Sequence, residues 1–249
     1  IFVAKENLPS FANRNTLVVV DAYEAHKATI NMYKTAKRRN CQTILITQDE
    51  RMAKKGKNTI LLPSGVLPRL AFGYILISMV VALQKAKAIP GQNISSALKM
   101  LVPKSCSRQG FMISKQLKNK IVLIYATPLF EGAARRLKIM INKNAKIPAF
   151  CNTIPEAYFT EISSLKKAMK RYNILFIHND EDREDVLRGI EIFKRLMKKK
   201  VGVSELKAKK GSLFAQLLYL VYVSDYISYY LALMNKEDPT PTPLDDEFR

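Results

Sequence analysis

Residues 16–47 read TLVVVDAYEAHKATINMYKTAKRRNCQTILIT. Two β-branched and aliphatic runs, TLVVV (16–20) and TILIT (43–47), flank a segment of helical composition, DAYEAHKATINMYKTAKRRN (21–40). Neither run alternates apolar with polar residues, so each reads as a strand buried on both faces. A strand, helix, strand order of this kind implies parallel neighbours in a sheet covered by helices. Working outward, IFVA (1–4) and TILLP (59–63) read as further strands, and a long apolar helix is expected from Leu67.

The stretch KAIPGQNISS (87–96) interrupts the pattern, after which it begins again. IVLIYA (121–126) leads into the helical EGAARRLKIMINKNA (131–145), followed by IPAFCN (147–152), a helix after Pro155, NILFIHN (173–179), a helix over 182–199 and VGVSEL (201–206). Asp180 and Asp182 are expected in the first turn of that last helix and Lys198 to Lys200 at its end, where each sign suits the helix dipole. A helix over 213–234 closes the sheet, and DPTPTPLDD (238–246) is a proline-limited tail. The expectation is two α/β units with parallel sheets flanked by helices, residues 1–95 and 96–249, with the boundary between Ile89 and Ser107.

Composition narrows the class. A chain of 249 residues that is 48% apolar can bury a full core. LAFGYILISMVVAL (70–83) is too short to cross a bilayer, and the 213–233 run contains Gln216 and Asp225, so both read as core helices and no membrane association is expected. No basic region followed by an apolar run opens the sequence, which gives a cytoplasmic protein as the default. Cys41, Cys106 and Cys151 have no C-x-x-C spacing, and His26 and His178 are the only histidines; neither a disulfide framework nor a metal centre is expected, and no cofactor is implied.

The formal charge is +20. Eight lysines and arginines lie between Lys194 and Lys210, and KKAMKR (166–171) is a second cluster. A solvated helix end is the preferred reading of both, with nucleic-acid binding ranked below it because no recognition motif accompanies the charge. In parallel sheets ligands gather beyond the carboxyl ends of the strands. The loop after Val20, DAYEAHKAT, places Tyr23, Glu24 and His26 where a phosphate cradle needs small residues, and HNDED after Ile177 is acidic. The segment 141–165, INKNAKIPAFCNTIPEAYFTEISSL, has the layout of an active-site segment, with Glu156 and Glu161 around a turn.

Five stretches taken in order carry a resemblance: LPSFANRNTLVVVDAYEAHKATI (8–30), LLPSGVLPRLAFGY (61–74), AARRLKIMINKNAKIPAF (133–150), IPEAYFTEISSL (154–165) and VSDYISYYLALMNKEDPTP (223–241). Together they resemble the dual-specificity phosphoglucose/phosphomannose isomerases, which have two sugar isomerase (SIS) domains. The most specific pieces are Pro68-Arg69, the Asn-x-Asn-Ala-Lys of 142–146, Pro155-Glu156 and the Asp-Pro-Thr-Pro of 238–241. The resemblance implies a phosphorylated sugar as ligand, aldose-ketose isomerisation as the reaction, and a homodimer. It also implies two SIS-type units, the first lacking its initial strand and glycine-rich loop.

Against the family pattern, the loop that wraps the sugar phosphate is replaced by DAYEAHKAT (21–29), with Thr29 alone retained. Lys143 stands where the family has its proton-shuttling Glu, Phe159 where it has the ring-opening His, and the C-terminal lysine falls at or beyond Arg249. Isomerisation needs a base to move a proton between C1 and C2 and an acid to open the ring. An ammonium is protonated at neutral pH and a phenyl ring transfers no proton. The candidate catalytic groups are therefore Lys143 itself with Glu156, Glu161 and His26 as substitutes. The candidate substrate contacts are Arg69 as an anion clamp, Thr29, and Lys146 with Arg135 near the second strand end. Glu156 and Glu161 also read as a helix-start carboxylate and a surface pair, and Asp225 as a buried ion-pair partner. Three functions follow: a divergent isomerase, a non-catalytic SIS module that binds a sugar phosphate, and, lowest, a nucleic-acid-associated protein.

Overall fold

In a computed structural model, which describes residues 2–166, 170–197, 200–243 and 247, the chain divides into two compact units, Ile1–Gln92 and Asn93–Arg249. The first unit comprises β1 (Leu17–Ala22), α1 (Lys27–Arg38), β2 (Gln42–Thr47), α2 (Glu50–Lys55), β3 (Thr59–Leu61) and α3 (Phe72–Lys85). Its strands form one parallel sheet in the order β1-β2-β3, with Val18 beside Thr43 and Leu45 beside Thr59. Side chains alternate between the two faces. Val18, Val20, Ala22 and Leu45 pack with Tyr33 of α1 and Met52 of α2, while Val19, Ile46 and Ile60 pack with Ile75 and Met79 of α3. The uninterrupted apolar character of 17–20 thus has its physical reason: both faces are covered.

Of the expected strand IFVA, the described residues 2–4 form none. Residues 2–15 are held by local turns, with the Ala12 N–H donating to Pro9 O at 3.1 Å, and by Arg39, which donates to Pro9 O at 2.6 Å. The Phe2 and Phe11 rings meet edge to face at 5.7 Å, so the apolar residues of this segment close on each other. The long apolar helix begins at Phe72 rather than Leu67, because 67–71 forms a tight turn closed by the Leu70 and Ala71 N–H groups on Leu67 O.

The second unit comprises α4 (Ile94–Lys99), α5 (Pro103–Leu117), β4 (Ile121–Ala126), a 3₁₀ turn (Pro128–Phe130) and α6 (Glu131–Met140). A π-helical turn (Ile141–Ala145), β5 (Ala149–Thr153), α7 (Glu156–Thr160), β6 (Tyr172–His178), α8 (Glu184–Met197), β7 (Gly202–Lys207) and α9 (Leu213–Met234) follow. The sheet is parallel throughout, in the order β5-β4-β6-β7. The chain leaves β4 toward β5 and returns on the other side at β6, so the topological switch lies between β4 and β6. One face is covered by α5, α6 and α9 through Leu117, Leu137, Leu220, Val223 and Ile227. The other is covered by α7 and α8, where the rings of Tyr125, Phe176 and Phe193 meet at 5.4–5.9 Å.

The helix α9 is long and apolar enough to cross a bilayer by length and composition, and half of its most apolar stretch is buried inside the fold. It approaches α5 closely at Gly110, where an added Cβ would lie 2.5 Å from the Tyr226 Cβ. Asp225 accepts two hydrogen bonds from Arg136 of α6, at 2.9 and 3.0 Å, with the guanidinium nearly buried. Burial raises the Asp225 carboxyl, and Arg136 opposes that shift.

Asp180 and Asp182 fall in the turn before α8, whose first turn instead holds Glu184 and Asp185. Asp182 accepts the Asn179 N–H at 2.7 Å, which fixes the turn and delays the helix. Lys198 and Lys199 lie outside the described residues. In the basic cluster of 194–210, Lys194, Lys207 and Lys210 are ion-paired with Glu205, Asp180 and Glu181. That pairing lowers the charge available for a polyanion and favours the solvated-face reading.

Candidate functional site

The sequence INKNA folds as a π-helical turn at the end of α6, on the amino edge of the second sheet. Two asparagines fix it. Asn142 Oδ1 accepts the Ala149 N–H at 2.8 Å and so anchors the start of β5; Asn144, buried, donates to Ser228 Oγ of α9 at 3.0 Å. Lys146 ends the turn in the left-handed region at φ 56°, with Nζ donating to Lys143 O at 2.6 Å and to Asp238 O at 3.1 Å. The Asn-x-Asn-Ala-Lys and Asp-Pro-Thr-Pro pieces of the sequence thus meet in space. Lys143 is held between two side chains whose task is structural. Single-turn π-helical insertions in helices are frequent at functional sites.

Beside this turn is an open hollow of about 670 Å³, lined by Asn119, Lys120, Lys146, Arg171, Lys236 and Glu237 among others. Asn119, Lys146 and Lys236 all adopt left-handed φ, at 58°, 56° and 59°. Four cations thus face one carboxylate. The carboxyl ends of α5, α9 and the π-helical turn also reach this edge, and each contributes about −0.5 of a charge. Part of the cationic charge answers those carbonyls, as when Lys120 Nζ donates to Lys170 O at 2.5 Å. Four positive charges against one full and three half negative ones still leave the hollow positive. It suits a small anion bearing hydroxyl groups. Lys120 and Lys236 are not singled out by the sequence, and Arg171 appears there only as the end of a basic cluster read as a solvated helix end; the fold assembles them.

The carboxyl edge of the same sheet holds the other candidates. Glu161, just past α7, accepts from Tyr125 Oη at 2.6 Å and from Asn152 Nδ2 at 2.7 Å, one partner per oxygen. Burial, reinforced by Glu161, pushes the Tyr125 phenol far up, so it remains a neutral donor. Glu161 is therefore occupied in tying α7 to β4 and β5. Glu156 opens α7 and is exposed, in the position that favours a helix N-terminus. Phe159 is 82% exposed and packs in no core. Arg135 pairs with Glu131 one turn away at 2.6 Å, on the surface of α6. Lys146 lies before β5 rather than at its carboxyl end, so it is separated from Glu156 by the length of a five-residue strand, roughly 16 Å. The second unit thus brings Lys143 together with Lys146, and Glu156 with Glu161, but keeps the two pairs on opposite edges.

One pair, a buried imidazole and a partly buried carboxylate, is not among the sequence candidates. His178, at the end of β6, holds Glu205 of β7 through Nε2 at 2.8 Å, and Lys194 of α8 holds the other carboxylate oxygen at 2.6 Å. Burial raises the Glu205 carboxyl, but Lys194 and His178 together outweigh that and hold it below its ordinary value. His178 is 3% exposed, and its Nδ1 has no hydrogen-bond partner. With His178 buried and Glu205 about a quarter exposed and held at both oxygens, the pair ties β6 to β7.

In the first unit, His26 precedes α1 and lies 3.5 Å from Glu24; it makes no side-chain cap to the helix. Thr29 sits in the first turn of α1. Asp21 accepts the Tyr23 N–H at 3.1 Å, and burial raises its carboxyl while Glu24 adds to the rise. Tyr23 Oη donates to the carbonyls of Pro63 and Val66, at 3.1 and 2.9 Å, so it fills the loop where a phosphate cradle would need open amides. Arg69 is half-buried in the turn before α3. The position of the expected C-terminal lysine, at or beyond Arg249, lies outside the described residues.

Residues 109–249 match the family described as the bacterial phospho-glucose isomerase C-terminal SIS domain. A bifunctional phosphoglucose/phosphomannose isomerase of Caldicellulosiruptor bescii is 30% identical over 256 residues, covering 94% of this chain and 75% of the relative. The chain belongs to the phosphoglucose/phosphomannose isomerase family. The enzyme of the same name from Aquifex aeolicus is 29% identical over 96% of this chain and 77% of its own length. Among solved structures, a glucosamine-6-phosphate deaminase from Thermotoga maritima superposes with a TM-score of 0.70 at 15% identity, covering 98% of this chain and 75% of that one. A glucose-6-phosphate isomerase like protein from Thermus thermophilus gives 0.63 at 14% identity, covering 99% of this chain and 90% of that one. The likeness to these structures establishes the shared fold: parallel sheets flanked by helices.

Proposed function

We propose that this chain binds a phosphorylated sugar through the basic hollow of its second unit, and that it interconverts aldose and ketose far more slowly than a carboxylate base and an imidazole would allow. One observation carries the reading. The turn that bears Lys143 is kept in place by Asn142 and Asn144, yet the group it presents is an ammonium. The scaffold of the family persists there with no proton acceptor at position 143. Of the substitutes the sequence offers, Glu161 is bound at both oxygens and Glu156 lies at the far edge of the sheet, which leaves Glu237, in the lining of the hollow, as the carboxylate nearest the bound anion.

Calorimetric titration with fructose 6-phosphate tests the binding half of this proposal. Lys120→Gln with Lys236→Gln is expected to weaken the interaction about ten- to a hundredfold, the worth of one or two charge-assisted hydrogen bonds. Equal affinity in the double variant would remove the hollow from the site.

A homodimer completes the proposal. The helix α9 has no lysine or arginine in its 22 residues, although the chain has 41 of them, and its Tyr229 and Leu233 are exposed. Two strongly basic molecules can approach most closely across such an uncharged face. Sedimentation equilibrium should give a dimer that Leu233→Lys dissociates; a monomer at high protein concentration would refute this part.

A further inference from the structure

The positive charge of the basic hollow is parted into two groups by the order of the strands. Lys120 and Arg171 stand immediately before β4 and β6, which are neighbours, and the Ile121 N–H donates to Arg171 O at 2.7 Å. Lys120 Nζ is held on the β6 side by its bond to Lys170 O. Lys146 leads into β5, on the other side of β4, and its Nζ is held instead by Lys143 O and by Asp238 O, two residues after Lys236. The order β5-β4-β6 places the Arg171 and Lys146 main chains two strand spacings apart, roughly 10 Å.

Neither group is saturated. An ammonium has three donors, of which Lys120 spends one on a carbonyl and Lys146 two. The Arg171 and Lys236 side chains have no hydrogen bond or ion pair among the described residues. Ile121, Ile147, Pro148 and Met234 give the same hollow an apolar lining, and at about 670 Å³ it has room for more than a single phosphate.

We infer that the preferred ligand of the hollow is a hexose carrying a phosphate at each end, one held by Lys120 with Arg171 and the other by Lys146 with Lys236. This rests on the reading of the hollow as the sugar-phosphate site and names its ligand more closely. A monophosphate engages one group and leaves the other in water, whereas two phosphates separated by six carbons engage both. The carbon skeleton lies along the apolar lining, and Glu237, next to Lys236, accepts from a sugar hydroxyl. Phosphate on C1 takes up the oxygen that would become the aldehyde, so this ligand is held without being isomerised and competes with fructose 6-phosphate. A site with an ammonium at position 143 loses nothing by holding it.

Calorimetric titration of the full chain, at one ionic strength, compares fructose 1,6-bisphosphate, fructose 6-phosphate and inorganic pyrophosphate. The bisphosphate should bind at least about tenfold more tightly than either of the others and displace fructose 6-phosphate, since its second end adds a charge-assisted contact. Pyrophosphate has the same two phosphates on one bridging oxygen, too close together to reach both groups. Arg171→Gln and, separately, Lys236→Gln should each weaken the bisphosphate at least about tenfold and fructose 6-phosphate by less, because the monophosphate can use the other end. Equal affinities for the monophosphate and the bisphosphate overturn the two-ended ligand and leave the hollow a sugar-phosphate site. Pyrophosphate binding as tightly as the bisphosphate, or a bisphosphate advantage that survives both single variants, overturns it equally. If neither hexose phosphate binds, the reading of the hollow falls with it.

Discussion

A Lys143→Glu variant should convert fructose 6-phosphate into glucose and mannose 6-phosphates at least about a hundredfold faster than the natural chain. Positioned acid-base groups are typically worth about a hundred- to ten-thousandfold each. The substitution at 143 restores a proton acceptor to a turn whose geometry depends on Asn142 and Asn144, so the new carboxylate inherits a fixed backbone. Phe159 is 82% exposed on α7, at the opposite edge of the sheet, so Phe159→His should leave the rate unchanged and serves as the control. A coupled assay for glucose 6-phosphate reads the outcome. Rates equal to those of the natural chain would mean that the hollow beside the turn does not hold the sugar carbons near position 143.

The largest effect on stability is expected at Gly110. A Cβ there would lie 2.5 Å from the Tyr226 Cβ and 3.1 Å from the Ile227 main-chain nitrogen, so neither side-chain rotation nor a small local shift removes the clash. Gly110→Val must push α5 and α9 apart, and these two helices cover much of one face of the second sheet. Overpacking of this kind costs about 1–3 kcal/mol, and a backbone contact belongs at the upper end. For a chain of this size each kcal/mol lowers Tm by about 2–4 °C, so a fall of roughly 6–12 °C is expected by differential scanning calorimetry. Gly132→Val, at a glycine with nothing within 4 Å of its Cβ position, serves as the control and should fall by much less. Similar melting temperatures for the two variants would contradict the tight α5–α9 approach.

What the sequence reveals, and what it conceals, follows from the range of the forces involved. The strands of 17–22, 42–47, 121–126 and 172–178 are legible because a parallel sheet covered on both faces demands continuous apolar runs. IFVA has the same composition, yet its described residues 2–4 form no strand, since strand formation requires a neighbour to pair with and Phe2 finds Phe11 instead. The motif at 142–146 is legible as a unit, and its individual roles are not: that Asn144 reaches Ser228 and Lys146 reaches Asp238 depends on partners 84 and 92 residues away. Lys120 and Lys236 are invisible for the same reason, and Arg171 is visible only as part of a basic cluster, until the amino edge of the sheet gathers them. Glu161 reads in sequence as a free carboxylate near a turn. Two long-range hydrogen bonds, from Tyr125 and Asn152, make it a structural anchor.

Amide and side-chain NMR of the natural chain during a fructose 6-phosphate titration addresses the central claim directly, because one sample reports binding and turnover together. The account requires saturable shifts at Lys120, Lys146, Arg171 and Lys236, with the sugar remaining fructose 6-phosphate over hours. Shifts that avoid those four residues, or glucose or mannose 6-phosphate formed as fast as by Lys143→Glu, would contradict it.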